Sequence, residues 1–334
     1  MNSNEKIRGA CITGIGCYVP ERVLTNQDLE KMVDTSDEWI VTRTGIRERR
    51  IVAEDQAASD LAYNASVDAL KKAGLKGKDL DQIIVATATS DMIFPSTACL
   101  IQDRLGSKNS AAYDVTAACS GFIYGISLAH SMILTGKAEK ILVVGSEVLS
   151  SMTDYTDRKT CVLFGDGAGA VVMEPCEAGK GVLATYMRSD GSYTDLLYKP
   201  GGGSRMPLTP ERLREGQQFI HMKGDGLFKY AVKAMVSAAR KTAKEAGLTT
   251  EDVDYLIPHQ ANIRIIEGVR KRLKLKKEQV IVNIDRIGNT SSASIPIAWC
   301  EYERDHPGKI SEGDLVMLVA FGGGLTWGAV LYRK

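Results

Sequence analysis

Two stretches decide how the chain is organised: KKAGLKGKDLDQII (71–84) and KEAGLTTEDVDYLI (244–257). Each reads as the end of an amphipathic helix stopped at a glycine, then a short polar link, then the start of a β-strand. They lie 173 residues apart, about half of the 334-residue chain. A second pair follows at nearly the same spacing: AEKILVVG (138–145) and EGDLVMLVA (312–320). Both are a charged turn feeding a continuous apolar strand. Such strands, alternating with helices, belong to sheets buried on both faces. A long-period repeat sets the architecture. The spacing predicts an α/β protein of two similar halves, residues 1–175 and 176–334, packed together without a Pro/Ser/Gly-rich linker. The one long irregular segment, 189–215, contains PGGGS (200–204) and reads as a surface excursion.

Composition narrows the function. Apolar residues make up 44% and charged residues 25%, with a net charge of +1. That describes an ordinary globular protein and argues against a general nucleic-acid binder. The polar start MNSNEKIR (1–8) carries no signal-peptide core, and no run of apolar residues reaches membrane-spanning length. A cytoplasmic protein is expected. Seven cysteines at 11, 17, 99, 119, 161, 176 and 300 include no Cys-x-x-Cys pair, so neither a disulfide framework nor a zinc site is expected. Four scattered histidines suggest no metal cluster.

Cys119 stands out, in DVTAACSGFIYG (114–125). AAYDV (111–115) is strand-like, and Phe122, Ile126, Ala129 and Ile133 then repeat at helical spacing towards a stop at Gly136. Cys119 therefore sits at a strand-to-helix turn, where the helix dipole is expected to lower a thiol pKa. Small neighbours leave room for a substrate. Cysteine is also a small hydrophobe that is commonly buried and inert; the other six are read that way, Cys11 and Cys161 in strands, Cys176 in a turn and Cys300 on a helix.

A nucleophilic cysteine needs a histidine from elsewhere in the chain. YLIPHQAN (255–262) places His259 where an apolar strand ends, the edge at which open α/β sheets bind ligands. His130, His221 and His306 have ordinary structural readings. GNTSSASIP (288–296) is a second strand-to-helix turn of small residues, and the repeat maps Cys119 onto Ser292 within it. Asn289 in that turn reads either as a donor to a substrate oxygen or as a helix cap. FGGGLTWG (321–328) reads as a strand connection or as a source of an oxyanion-binding N–H. GDGAG (165–169) precedes a strand, not a helix, so it is not a dinucleotide fingerprint.

These motifs, ACSGF (118–122), PHQAN (258–262), GNTSSAS (288–294) and FGGGLTWG, with DTSDEWIVTRTGIRER (34–49), together resemble the β-ketoacyl-[acyl carrier protein] synthase III enzymes of bacterial fatty acid synthesis. The resemblance implies a thiolase-like αβαβα sandwich of two five-stranded halves, acting as a homodimer. It implies that Cys119 carries the acyl group, that His259 and Asn289 hold the malonyl thioester oxygen, and that the N–H groups of Cys119 and Gly324 form the oxyanion hole. Trp39 and Arg158 would sandwich the coenzyme A adenine, with Arg43, Thr44, Phe228 and Asn262 along the same tunnel. Phe94 would reach the partner's acyl pocket. Leu325 stands where many relatives have an aromatic residue, which bears on primer length.

The implied chemistry loads an acyl-CoA primer onto Cys119, then condenses it with malonyl-[acyl carrier protein] after loss of CO2. No metal or redox cofactor is expected. The alternatives are a ketosynthase of specialised metabolism with another primer, a Cys/His/Asn thioester hydrolase, and a degenerate binding protein. The papain-like signature around a cysteine is absent, and the intact Cys119, His259 and Asn289 set speaks against a mere binder. The run IRIIEGVRKRLKLKK (263–277) holds seven cations against Glu267. It reads as a solvated face, or as a patch steering an acidic carrier protein. The resemblance associates Lys229 and Arg264 with carrier docking, and Arg270, Lys271 and Lys274 extend that expected surface.

Overall fold

The computed structural model describes residues 8–334; the polar N-terminal residues 1–7 lie outside it. Nine strands form the main sheet: β1 Arg8–Tyr18, β2 Gln82–Ala86, β3 Ala111–Val115, β4 Ile141–Val148, β5 Asp166–Glu177, β6 Gly181–Ser189, β7 Tyr255–Pro258, β8 Leu315–Gly322 and β9 Thr326–Arg333. Their spatial order is β7-β8-β9-β6-β1-β5-β4-β2-β3. The first half contributes β3-β2-β4-β5-β1, five strands. The second repeats this order as β7-β8-β9-β6, with a parallel bridge of Leu256 to Val280 where a fifth strand would lie. That strand is reduced to a bridge because the chain turns into a short helix at Ile284–Ile287. Among the described residues the two half-sheets join through a single pair, Ala10 to Gly181. β5 runs to Glu177, so the halves meet at 178–180, slightly later than expected.

The main helices are α1 Asp37–Thr44, α2 Ala58–Ala73, α3 Thr97–Arg104, α4 Gly121–Leu134, α5 Gly224–Glu245, α6 Ile263–Leu273 and α7 Ser294–Asp305. Three buried clusters define the layers. α2 and α3 cover the first half-sheet. α5 and α6 cover the second. Between them, Phe122 and Ile126 of α4 and Trp299 of α7 pack against Val143 and Val171 on one side and Leu318 and Val330 on the other. The result is the expected αβαβα sandwich. α4 lies in the middle because its whole predicted face is apolar: Phe122, Ile126, Ala129 and Ile133 are fully buried.

The repeat holds at the level of single hydrogen bonds. Gly74 and Gly247 both take left-handed φ, +69° and +72°. Beyond them the Leu75 and Leu248 N–H groups donate back to Leu70 and Ala243, closing equivalent C-terminal caps. Asp79 and Asp252 accept from the backbone N–H of Lys76 and Thr249, both at 2.8 Å.

Three cysteine readings change. Cys161 lies in the turn before β5 rather than in a strand. Cys11 on β1 and Cys176 at the end of β5 form a disulfide, with S–S 2.22 Å and Cα atoms 5.8 Å apart. Cys176 is thus in a strand rather than a turn. The antiparallel register of β1 on β5 brings the two together across 165 residues, which no local spacing signals. Cys17 and Cys300 are neighbours as free thiols, hydrogen-bonded where α7 packs on β1.

Candidate active site

Cys119 stands on a single 3₁₀ turn, Ala118–Ser120, between β3 and α4. Its counterpart is the turn Ser291–Ala293 ahead of α7. Ala118 and Ser291 have φ of +45° and +48°. Non-glycine residues rarely adopt this region, so both halves spend strain on the same elbow. The elbows touch in the centre of the molecule, where a Cβ on Gly121 would lie 3.5 Å from the Ser292 Cβ, and the second elbow sits on a glycine of β4. A Cβ on Gly145 would lie 2.5 Å from the Ser292 carbonyl oxygen.

Cys119, His259 and Asn289 line one largely apolar cavity of about 150 Å³, with Phe164, Leu197, Met222, Met235 and Phe321 among its walls. All three polar residues are buried. His259 follows β7; its N–H donates to Val319 on β8 at 2.8 Å. Its Nδ1 lies 2.7 Å from Ser294 Oγ, which already accepts from the Gln260 N–H. A Ser294 hydroxyl that donates to Nδ1 places the histidine proton on Nε2. Burial holds the His259 ring neutral, with its pKa down at about 3. Asn289 Oδ1 accepts the Ser291 N–H at 2.9 Å, which assigns its NH₂ group to the cavity side. The Asn289 backbone is tied to residues 163–165 through Leu163 and Gly165.

Buried Arg49 clamps this region. Its guanidinium donates to the carbonyls of Leu24 and Val162 and to Asn26 Oδ1. Its Cβ packs beside the α-carbons of Gly165 and Gly288, where a side chain would leave only 3.0 and 3.1 Å. Nothing in the local sequence pattern marks Arg49 as a support for Asn289.

The thiol differs from expectation. Burial pushes Cys119 up to about 12, while the Ser291 hydroxyl works against that shift and the Glu147 carboxyl adds to it. Desolvation outweighs the helix dipole, which amounts to about half a charge at a helix end.

The glycine triplet also differs. Gly322 packs on Cys119, where a Cβ would lie 2.6 Å from the Cys119 nitrogen, and Gly323 lies beside Ala118. Gly324 turns towards Thr326 and is not among the cavity walls. The backbone adjoining the nucleophile therefore belongs to Gly322 and Gly323. Leu325 exchanges both backbone hydrogen bonds with Asp190 and is buried behind Phe321, also off the cavity wall. The 189–215 excursion is more than surface. Leu197 within it closes one side of the cavity, with Met222 just beyond.

The expected coenzyme A residues gather at the outer end. Arg43 and Arg158 both stack on Trp39, at 4.8 and 5.1 Å from its centroid. Asn262 caps α6 by accepting from the Arg264 N–H and donates to the Arg43 carbonyl. Phe228 and Asn262 line the cavity. Thr44 does not join them: it is buried, its hydroxyl donating to Ile40 and accepting from Ile46. Among the expected docking cations, Arg264 is exposed and stacks on Phe228 at 5.5 Å, with exposed Lys229 beside it. Lys271 shares a shallow groove between α5 and α6 with Lys229, Lys233 and Arg272. Arg270 is spent on Glu267, at 2.8 Å, and the Leu275 carbonyl. Lys274, capping α6, pairs with Glu251 at the far end. Phe94 is 83% exposed on a loop with Ile93. No helix among the described residues is long and apolar enough to cross a membrane.

Residues 113–191 match the family model of 3-oxoacyl-[acyl-carrier-protein] synthase III, and residues 243–334 match that of its C-terminal part. A β-ketoacyl-[acyl-carrier-protein] synthase III of Caldanaerobacter subterraneus is 55% identical, over 98% of both chains. One from Symbiobacterium thermophilum is 52% identical over 98% of this chain and 99% of its own. The crystal structure of 3-oxoacyl-[acyl-carrier-protein] synthase III from Aquifex aeolicus superposes with a TM-score of 0.90 at 49% identity, covering 98% of this chain and all of that one. The priming β-ketosynthase of the R1128 polyketide pathway has the same fold at 32% identity, with a TM-score of 0.91 over 98% of this chain and 97% of its own. The chain therefore belongs to the β-ketoacyl-[acyl-carrier-protein] synthase III family of condensing acyltransferases.

Proposed function

We propose that Cys119 takes an acyl group from an acyl-CoA, and that His259 and Asn289 then drive decarboxylative condensation with malonyl-[acyl carrier protein]. One observation carries this reading: His259 and Asn289 line the same small apolar cavity as Cys119. Two neutral donors on one side of a sulfur nucleophile suit a thioester oxygen that gains charge as CO2 leaves. A histidine that stays neutral well below physiological pH can keep donating without first losing a charge. In acylation, the oxyanion is held by the N–H of Cys119 and the backbone of Gly322 and Gly323. The enolate carbon then attacks the acyl-cysteine. The scheme calls on no metal or redox cofactor.

The coenzyme A adenine enters between Trp39 and Arg158. They must part to about 7 Å, two van der Waals layers, to admit it. Arg264, Lys229 and Lys271 form the surface that receives the acidic carrier protein. The exposed Ile93–Phe94 tip supports a homodimer in which Phe94 reaches the partner's cavity. The protein acts in the cytoplasm, where its substrates are.

The experiment separates the half-reactions. With acetyl-, isobutyryl- and hexanoyl-CoA, the wild-type protein gains an acyl mass that Cys119→Ala abolishes. His259→Ala and Asn289→Ala keep that adduct but release CO2 from malonyl thioester about 10²- to 10³-fold more slowly, the usual cost of one such donor. An adduct that persists in Cys119→Ala would refute the assignment.

A further inference from the structure

Glu147 is a buried carboxyl that the scheme above leaves unused. It lies on β4, a strand whose eight residues are all buried, and is itself fully inaccessible. It is not among the walls of the cavity. No ion pair among the described residues includes it. Cys119 on the facing elbow is kept neutral by burial, and Asp166 on adjoining β5 spends its carboxyl on Ser150 and the Val52 N–H. Neither supplies a positive charge. A carboxylate without a cation in such a place is costly.

Strand geometry aims the side chain. Successive residues of a strand point to opposite faces. Ser146 faces α2, where its hydroxyl donates to the Ala58 carbonyl at 2.7 Å. Gly145 and Glu147 share the other face, under the second elbow. Gly145 leaves room for the Ser292 carbonyl, and Glu147 reaches the Ser292 side chain. One residue of the elbow is thus fitted twice by the same strand.

Hydrogen bonds around Glu147 say which form it takes. The Ala88 N–H and the Thr89 hydroxyl donate to Oε2 at 3.1 and 2.8 Å, and Thr89 Oγ1 accepts the Val148 N–H at 2.8 Å. On the other oxygen, Ser292 Oγ lies 2.8 Å from Oε1 and also 2.8 Å from the Ala86 carbonyl oxygen. A serine hydroxyl has one proton, and a carbonyl has none to give. Both short contacts are hydrogen bonds only if Oε1 carries a proton, donating to Ser292 while Ser292 donates to Ala86. The shell is built for the acid, and burial favours the same form.

Ser292 is the middle of the Ser291–Ala293 turn. One residue earlier, the Ser291 N–H holds Asn289 Oδ1 at 2.9 Å; two residues later, Ser294 Oγ lies 2.7 Å from His259 Nδ1. Both side chains assigned to the malonyl thioester therefore depend on where this elbow sits. The Cys119 elbow has its own anchor on β9. Thr326 Oγ1 donates to the Ala117 carbonyl at 2.8 Å, and Ser120 Oγ donates to the Thr326 carbonyl at 3.1 Å. Different side chains tie the two elbows down.

We propose that Glu147 is a positioning residue held as the neutral acid: its bond to Ser292 sets the second elbow, and with it Asn289 and His259, for the decarboxylation step. This rests on the condensing-enzyme reading of the site. Glu147 moves no proton during the cycle. Glutamine has the same shape and reproduces the pattern of the acid, its oxygen accepting from Ala88 and Thr89 and its NH₂ donating to Ser292. A carboxylate would set two acceptors, Oε1 and the Ala86 carbonyl, against the single proton of Ser292.

The infrared difference spectrum of wild type minus Glu147→Gln at pH 7 reads the protonation state without reference to activity. It should show the carbonyl band of a carboxylic acid; carboxylate bands in its place would overturn the proposal. Acyl-adduct mass with the same three acyl-CoAs and CO2 release from malonyl-CoA without primer then separate the half-reactions. A wild type that shows neither would refute the condensing-enzyme reading itself, while the infrared band still reports on Glu147. Glu147→Met, of similar length but without hydrogen bonds, should slow CO2 release about 100-fold, the cost of misplacing a reacting group by about 1 Å, and slow adduct formation far less. Glu147→Gln should keep both rates near those of wild type. Ser292→Ala should repeat the selective loss from the other end of the bond, and it decides the matter if Glu147→Met fails to fold. A slow Glu147→Gln would overturn the proposal, as would undiminished CO2 release or equal losses of both half-reactions in folded Glu147→Met or Ser292→Ala.

Discussion

At His259 the decisive quantity is the charge that burial forbids. Unfolded, the ring takes a proton near pH 6.5; folded, it stays neutral down to about 3. Unfolding therefore binds an extra proton between those values. The sign follows: this group costs no stability above about pH 7, and it lowers stability as pH falls from 6.5 towards 3, by about 1.4 kcal/mol per unit. Urea midpoints at pH 7 and pH 5 should fall further apart for wild type than for His259→Gln. If the two proteins lose stability in parallel, the ring is not held neutral. The same neutrality means that any loss of activity between pH 8 and 5 arises elsewhere than at His259. Cys119 shows the limit of reasoning from one residue. A helix N-terminus predicts a lowered thiol pKa, but the side chain is almost fully enclosed, and desolvation wins.

The two elbows and α6 are the elements that shape the site. The second elbow packs over Gly145, where a methyl group would press on the Ser292 backbone oxygen at 2.5 Å. Backbone cannot give way like a side-chain tip, so Gly145→Ala should cost about 2 kcal/mol and separate the paired turns. A lowered melting temperature together with slowed acylation would show this; an unchanged protein would mean that the turns adapt. α6 carries its cations unevenly. Among the described residues Arg264 has no ion pair and stacks on Phe228 at the cavity end, whereas Arg270 and Lys274 are paired within the fold. Arg264→Glu should therefore reduce the rate with malonyl-[acyl carrier protein] at least 10-fold, as reversing one docking charge does, and leave malonyl-CoA turnover nearly unchanged. Equal losses with both substrates would remove Arg264 from docking. The cation run was legible in the sequence, but its partners were not. Glu251 lies on another segment, and the Leu275 carbonyl becomes an acceptor only once the α6 cap folds back.

Across the whole molecule, the layers explain why one cavity serves both halves. Among the described residues the half-sheets share one residue pair at their junction, and they hold together through the middle layer of α4 and α7. The cavity lies where the ends of β3, β7 and β8 converge on that layer. On the outside, Ile93 and Phe94 are 86% and 83% exposed, an apolar tip that water does not favour. Phe94→Asp should shift the protein towards monomer in sedimentation at micromolar concentration and reduce acyl loading several-fold, as expected for loss of a central aromatic anchor. A dimer that loads normally would place the interface elsewhere.

By itself the sequence determined the duplicated α/β plan, the strand-to-helix turns and the three polar residues of the site. Each depends on local rules: helix periodicity, glycine stops, continuous apolar strands and short motifs. The internal repeat even mapped Cys119 onto Ser292, and the paired φ values of Ala118 and Ser291 show that correspondence in the backbone. Tertiary structure alone decided the rest. The Cys11–Cys176 bond, the Arg49 clamp, the wall made by Leu197 and Met222, and the Glu147–Ser292 contact all join segments far apart in the chain. So did the placing of Thr44 and Gly324 off the cavity wall and the pairing of Arg270 and Lys274 within the fold. The physical reason is common to all: hydrogen-bond saturation and burial depend on what packs around a side chain, and that is set only when distant strands find their register.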